Sequence, residues 1–171
     1  MYIIKNLRHV ASKELVRSVY LALVQSQLSY CISAWGGAAK NLMLKLERAQ
    51  RAVLKVGFFL PFFHPTKDVY VTSKVLTVRQ LYVLQSILKQ HCISTFDLNI
   101  VKKRRRKDRV FNLPQCNTSF AQRFFDYQGC RLYNKINKCL KIYTLTKHKC
   151  KTVVSQWLQN LEYGPTENLL H

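Results

Sequence analysis

The chain has 171 residues, of which 48% are apolar and 12% aromatic, and it contains only 5 glycines and 4 prolines. This composition argues against wholesale disorder and against a turn-rich all-β fold, and it favours a mostly helical chain. Lys and Arg number 28 against 8 Asp and Glu, which gives a formal net charge of +20. The positive side chains of such a chain repel one another and destabilise a compact state unless an anionic partner neutralises them. The most common partner of this kind is nucleic acid.

The first predicted long helix begins at Ser12, whose side chain can cap free N–H groups, with Glu14 in its first turn. Its apolar residues fall in two adjacent rows with i+4 spacing: Leu15, Val19 and Leu23, and Val16, Tyr20 and Val24. Because apolar residues cover most of the circumference, we expect this helix to be central and buried. It ends near residues 35–37, where two glycines break the pattern.

Neither a membrane span nor a signal peptide is expected. Residues 18–39 carry no charge, but polar side chains such as Gln25, Gln27 and Ser33 interrupt the apolar run.

No pair among the six cysteines has the C-x2-C spacing that brings two thiolates to one zinc ion. Reduced thiols in a nuclear or cytoplasmic protein are therefore the expectation.

The second predicted helix covers residues 39–57. An apolar stripe with 4-3-4-3 spacing predicts its buried face: Leu42, Leu46, Ala49, Val53 and Val56. Lys40, Arg48, Arg51 and Lys55 fall on the opposite face, and Lys45 lies nearer the edge of the stripe. Such cations can form a solvated face or contact phosphate, and Glu47 is the one acid among them. The residues after Gly57 close the helix.

Two further helices follow the second one. Thr66 and Asp68 begin a short helix, and Thr77 caps another that extends to about Cys92. The buried side of the later helix is predicted to carry Val78, Leu81, Leu84 and Leu88.

A basic linker is predicted at residues 94–117, between a larger N-terminal part and a smaller C-terminal part. It contains a run of cations: Lys102, Lys103, Arg104, Arg105, Arg106 and Lys107, with Arg109 just beyond. Such a run is typical of a flexible linker or a nuclear-localisation-like stretch, and it is equally suited to phosphate contact. Residues 118–171 then carry enough aromatic and apolar residues to dock, and they end in a predicted helix near 147–161.

No catalytic constellation is present in the sequence. Its eight carboxylates are never adjacent and never three or four apart on a predicted helix, whereas two-metal chemistry needs converging carboxylates. His91 and Cys92 are helical neighbours whose side chains point about 100° apart. We therefore predict no catalytic residue, no metal ligand and no cofactor in this chain.

Four segments of the sequence occur in the order of a known family pattern. The first is LVQSQLSYC at 23–31 with AWGG at 34–37, and the second is AQRA at 49–52 within its helix. The third joins Pro65-Thr66 to LTVRQLY at 76–82. The fourth comprises NTSFAQRFF at 117–125 and YQGCRLYNKI at 127–136. Together they resemble the thumb and post-thumb regions of non-LTR (jockey-like) retrotransposon reverse transcriptases. Ala121, Cys130 and Asn137 depart from the family, which usually has Gly, Pro and Pro there.

The resemblance implies a parent enzyme that copies RNA into DNA at a nicked chromosomal target. In that family the paired catalytic aspartates, and the Mg²⁺ they hold, lie upstream of the thumb and outside this sequence. The thumb grips the template–primer duplex by its backbone, and the fingers and palm are its partners in the parent enzyme. The segment is accordingly expected to be inactive alone.

The sequence thus predicts an all-α fold with a thumb-like helical region at 1–62, post-thumb helices at 63–93, a linker at 94–117 and a C-terminal helical segment at 118–171. Its predicted function is to bind nucleic acid by the backbone, without sequence preference, as a fragment of an RNA-directed DNA polymerase. Three alternatives remain open. One is a non-functional translated transposon remnant, and another is a basic module that binds an acidic protein or an anionic membrane. The third is an intact enzyme of unknown type, which would require that a metal or a substrate stabilises the chain.

Overall fold

The computed structural model describes residues 2–96, 110–161 and 163–170, and within these ranges the protein is all-α, with no strand, as predicted. The helices are α1 (Tyr2–Leu7), α2 (Lys13–Tyr20), α3 (Ser26–Ser29), α4 (Ile32–Trp35), α5 (Lys40–Gly57), α6 (Thr66–Ser73), α7 (Val78–Phe96), α8 (Phe125–Leu140), α9 (Lys147–Asn160) and α10 (Tyr163–Leu170). No helix of the described ranges combines the length and apolarity needed to cross a bilayer.

The predicted start of α2 is confirmed, because the Leu15 amide donates to the Ser12 side chain at 3.3 Å. A π-helical turn at Leu21–Gln25 connects α2 to α3, and Cys31 takes a left-handed conformation with φ 49° before α4. The expectation that this region is buried all round is wrong. Val16 and Tyr20 face the interior, but Leu15 and Leu23 are 50% and 48% exposed, because the helix packs on one side only.

The predicted buried face of α5 is misplaced at its centre, although Leu46 and Val53 are partly buried against core residues. The residues that α5 buries are Met43, Glu47, Gln50, Leu54 and Gly57. Leu42 is instead 50% exposed, and Ala49 is exposed. The helix is therefore rotated by about one residue, or roughly 100°, from the predicted orientation. The reason is that two polar side chains, Glu47 and Gln50, find buried partners on neighbouring helices.

Gln50 is the polar centre of this packing. Its amide nitrogen donates to the Tyr20 hydroxyl at 3.0 Å and to the Leu76 carbonyl at 2.9 Å. Its amide oxygen accepts from the Tyr70 hydroxyl and from the Val78 backbone amide, each at 3.1 Å. Four hydrogen bonds use the full capacity of a carboxamide, so one side chain connects α2, α5, α6 and the first residue of α7.

The N-terminus of α7 is fixed by a reciprocal capping box. The Gln80 amide donates to the Thr77 hydroxyl at 3.1 Å, and the Thr77 amide donates to the Gln80 side chain at 3.0 Å. The Gln80 side chain also donates to the Leu158 carbonyl at 2.7 Å, which ties α7 to the end of α9. The predicted cap at Thr77 is confirmed, and so is the predicted final helix near 147–161 as α9.

Two apolar clusters share α5 as their common wall. The smaller cluster lies among α1, α2, α5 and α6, and the larger one is centred on α7, α8 and α9. The predicted buried residues of α7, namely Val78, Leu81, Leu84 and Leu88, all belong to the larger cluster. The His91 ring lies within this cluster between two polar partners. One ring nitrogen lies 2.8 Å from the Tyr133 hydroxyl, and the other lies 2.9 Å from the Leu145 carbonyl.

The predicted linker at 94–117 is described only at its two ends. Helix α7 continues to Phe96, beyond the predicted end near Cys92. On the other side, the Val110 and Phe111 amides both donate to the Asn134 side chain at 2.9 Å, which holds this segment on α8. The residues between these ends lie outside the described ranges.

Candidate nucleic-acid interface

The cations predicted on α5 occupy three different environments. Lys45 and Arg48 are exposed, whereas Arg51 and Lys55 are half-buried. Lys40 is exposed but forms an ion pair with Glu167 on α10, at 2.7 Å. The predicted cations at 102–107 and 109 lie outside the described residues. Helix α5 therefore offers two fully solvated cations and two cations that are held against neighbouring structure.

Arg51 lines a groove of about 840 Å³ between α5, α6 and the region where α9 ends. Lys67 and Lys74, from α6 and its C-cap, line the same groove, and we call it the cationic groove. Apolar side chains such as Val71 and Leu161 form part of the remaining surface, and uncharged polar side chains such as Gln80 form another part. Among the described residues, none of those that line it is an Asp or Glu. The groove thus combines positive charge with apolar walls.

Tyr70 lies in the wall of the cationic groove, beside Arg51. Burial raises the pKa of the Tyr70 hydroxyl well above its usual range, and the neighbouring Arg51 guanidinium opposes this effect. The neutral hydroxyl donates to the Gln50 side chain at 3.1 Å. Because the phenol stays protonated at neutral pH, it adds no negative charge to the groove.

Lys67 and Lys74 were not among the predicted site residues. Their position beside Arg51 depends on how α6 packs against α5, which the sequence does not state. Their spacing alone indicates that the two lysines lie on the same side of α6, because they are seven residues apart and such a spacing brings side chains to one side of a helix.

Lys55 lies one helical turn beyond Arg51 and reaches the loop that follows α5. Its ammonium group donates to the Phe62 carbonyl and lies 5.8 Å from the centre of the Phe62 ring. Phe62 and Phe63 are 83% and 91% exposed, and their rings meet edge to face at 5.2 Å. We call residues 59–63 the aromatic loop.

The start of the aromatic loop has an unusual backbone. The Leu60 amide donates to the Lys55 carbonyl at 2.9 Å, which is the six-to-one hydrogen bond of a Schellman motif. Phe59 occupies the left-handed position of this motif with φ 55°, where glycine is the residue without steric cost. The Arg8 guanidinium lies 4.3 Å from the centre of the Phe59 ring, so a second cation borders the loop.

The described residues contain no group of three or more His, Cys, Asp or Glu side chains placed to hold a metal ion. The cations of the groove and of the aromatic loop lie beside apolar and aromatic surface, and such an arrangement can bind phosphate groups and the organic groups attached to them. No protein-family model, no curated protein and no solved structure matches the chain.

Proposed function

We propose that this chain is the thumb and post-thumb part of a non-LTR retrotransposon reverse transcriptase and that it binds nucleic acid by the sugar–phosphate backbone. The observation that carries the binding proposal is the cationic groove, which Arg51, Lys67 and Lys74 line together. The segments that resemble the family, at 23–37, 49–52, 65–82 and 117–136, support the parentage. The sequence has no adjacent pair of aspartates, so the proposed function is binding alone.

The physical basis of this binding is the release of counterions. A polyanion condenses cations along its backbone, and each phosphate that the protein neutralises frees about one of them into solution. With a formal net charge of +20, the chain gains this free energy on any sequence, because the backbone carries no base information. Exposed Lys45 and Arg48 extend the positive surface along α5, away from the groove.

The test compares two triple variants of equal charge. Arg51→Gln, Lys67→Gln and Lys74→Gln remove the groove cations, whereas Lys138→Gln, Lys149→Gln and Lys151→Gln remove exposed cations from α8 and α9. Binding of a fluorescent duplex is measured by anisotropy at several salt concentrations. Each lost phosphate contact should reduce the slope of log K against log salt by about 0.9. We expect the groove variant to lose affinity and slope well beyond the matched control.

Equal losses in the two variants would mean that net charge alone drives binding, and would contradict the assignment of the groove. An affinity that barely changes between about 50 and 200 mM salt would contradict backbone binding altogether. The parentage has a separate test in the genomic sequence upstream of the Met1 codon. An upstream frame that encodes an aromatic-x-Asp-Asp segment would support it, and a clean untranslated leader without polymerase remnants would contradict it.

A further inference from the structure

The aromatic loop presents two phenylalanine rings to solvent at the end of a positively charged helix face. Phe62 and Phe63 are 83% and 91% exposed, so the two adjacent rings form an apolar surface that a partner can cover. Their ring planes stand at 88° to each other, so their faces point in two directions. Each ring can therefore receive a separate flat partner.

The charges around the loop identify that partner. Lys55 lies against Phe62 and Arg8 lies over Phe59, while the sequence from residue 54 to residue 67 contains no Asp or Glu. The surface of the aromatic loop thus places the faces of aromatic rings beside positively charged side chains. Single-stranded nucleic acid has the complementary chemistry, since its bases stack on aromatic rings while its phosphates bind Lys and Arg.

The loop is continuous with the cationic groove. Arg51 in the groove and Lys55 at the loop are four residues apart on α5, which places them on the same helix face, one turn apart. Thr66 and Lys67 line the groove and are separated from Phe63 by only two residues, His64 and Pro65. A single strand of nucleic acid whose phosphates contact Arg51 and then Lys55 therefore reaches Phe62 and Phe63 with its next nucleotides.

We propose that the aromatic loop binds unpaired nucleotides by stacking their bases on Phe62 and Phe63, with Lys55 contacting the adjoining phosphate. This inference rests on the proposed function and deepens it, because it assigns the groove to the backbone and the loop to single-stranded bases. The strained left-handed backbone at Phe59 is consistent with this role, since such strain is concentrated at ligand-binding sites.

The experiment uses the full chain and three fluorescent probes of equal length: an oligothymidylate, an abasic oligonucleotide with the same phosphates, and a duplex. The wild-type chain should bind the oligothymidylate more tightly than the abasic strand. The double variant Phe62→Ala/Phe63→Ala should lose about tenfold in affinity for the oligothymidylate for each base that stacks. Its affinity for the abasic strand and for the duplex should stay within about twofold, because their phosphate contacts remain.

The chain contains a matched control. Phe120 and Phe124 also form an exposed edge-to-face pair, with ring centres 5.1 Å apart, so Phe120→Ala/Phe124→Ala removes the same chemical groups elsewhere. This control should leave all three affinities unchanged. The conservative variant Phe62→Tyr/Phe63→Tyr keeps two aromatic faces and should retain the preference for the oligothymidylate.

The inference is overturned if the loop variant loses affinity equally for the base-bearing and abasic strands, or for neither. It is also overturned if the same variant loses binding only to anionic phospholipid vesicles, which would assign the loop to a membrane surface. Failure of the proposed function is a different result, in which the wild-type chain binds none of the three probes.

Discussion

The Glu47 carboxylate and the Arg79 guanidinium lie 2.7 Å apart between α5 and α7, with their side chains only 1% and 4% exposed. Arg79 also contacts Glu167 on α10, whose second oxygen accepts from Lys40 at 2.7 Å. Two cations and two anions therefore connect three helices. Buried charges are costly to desolvate, so the network stabilises the fold only while its members remain paired.

Glu47→Leu is expected to lower the free energy of unfolding by about 3 kcal/mol, because a buried guanidinium loses its closest partner on α5. The double variant Glu47→Leu/Arg79→Leu should recover more than half of that loss, since an apolar pair in place of a buried ion pair is close to neutral. Urea unfolding followed by circular dichroism measures both. A double variant less stable than the single one would show that the network is net stabilising.

Gln50→Leu should destabilise the chain by at least about 2 kcal/mol. The substitution leaves the Tyr70 hydroxyl, the Val78 amide and the Leu76 carbonyl without their partner, and each buried polar group in that state costs about 1–3 kcal/mol. The matched control is Gln156→Leu on the exposed side of α9, which should change the unfolding midpoint little. Equal midpoints for the two variants would contradict the central role of Gln50.

Gly36→Ala should cost about 1–3 kcal/mol through overpacking. A β-carbon at Gly36 would lie 2.2 Å from the Tyr82 ring and 2.6 Å from the Ile32 carbonyl oxygen. Gly57→Ala is the comparison, because there the nearest atoms are 3.0 and 3.3 Å away and alanine is the better helix former by about 1 kcal/mol. Thermal unfolding distinguishes the two, and a Gly36→Ala melt like that of wild type would refute the close approach to Tyr82.

Stability should fall as the pH rises from about 10 to about 12. Burial raises the pKa of the Tyr20 hydroxyl to about 12, and the hydrogen bond from Gln50 only partly opposes this, whereas an unfolded chain releases the same proton near pH 10. Between these two pH values the folded state keeps the Tyr20 proton that the unfolded chain has released. The resulting contribution to the free energy of unfolding is complete below pH 10 and is lost as the pH rises through 12. Urea midpoints in this range should fall for wild type and fall less for Tyr20→Phe.

The positions of several helices could be predicted because local signals fix them. Ser12 and Thr77 cap α2 and α7, and the Thr66 start and the 147–160 helix are likewise readable from turn residues and periodicity. The buried face of α5 could not be predicted in this way. Hydrophobic periodicity counts Glu47 and Gln50 as polar, and only the partners on α2, α6 and α7 make their burial favourable.

The glycines at 36 and 37 follow a helix end, but not the end of the helix that the sequence predicted to stop there. The helical run that begins after Ser12 already ends at Ser29, because Tyr30 is extended and Cys31 is left-handed, and the short α4 is the helix that ends at Trp35. However, Gly36 has an ordinary φ of −66°, and its lack of a side chain is required by Tyr82.

Only part of the candidate site could be read from the sequence. The cations of α5 follow from helical geometry, whereas Lys67 and Lys74 join Arg51 through tertiary packing. The sequence does contain a signal for the aromatic loop: Pro61 lies between two pairs of phenylalanines, and so short a turn cannot bury all four rings.

The contact between Lys40 and Glu167 spans 127 residues of sequence. During translation, α10 can complete the charge network of α5 and α7 only after the residues that separate it from these helices have been synthesised. A nascent chain stalled before residue 167 holds Arg79 with Glu47 but without its partner on α10. The network is thus expected to form in two stages, with the pair between α5 and α7 first and the contact to α10 afterwards.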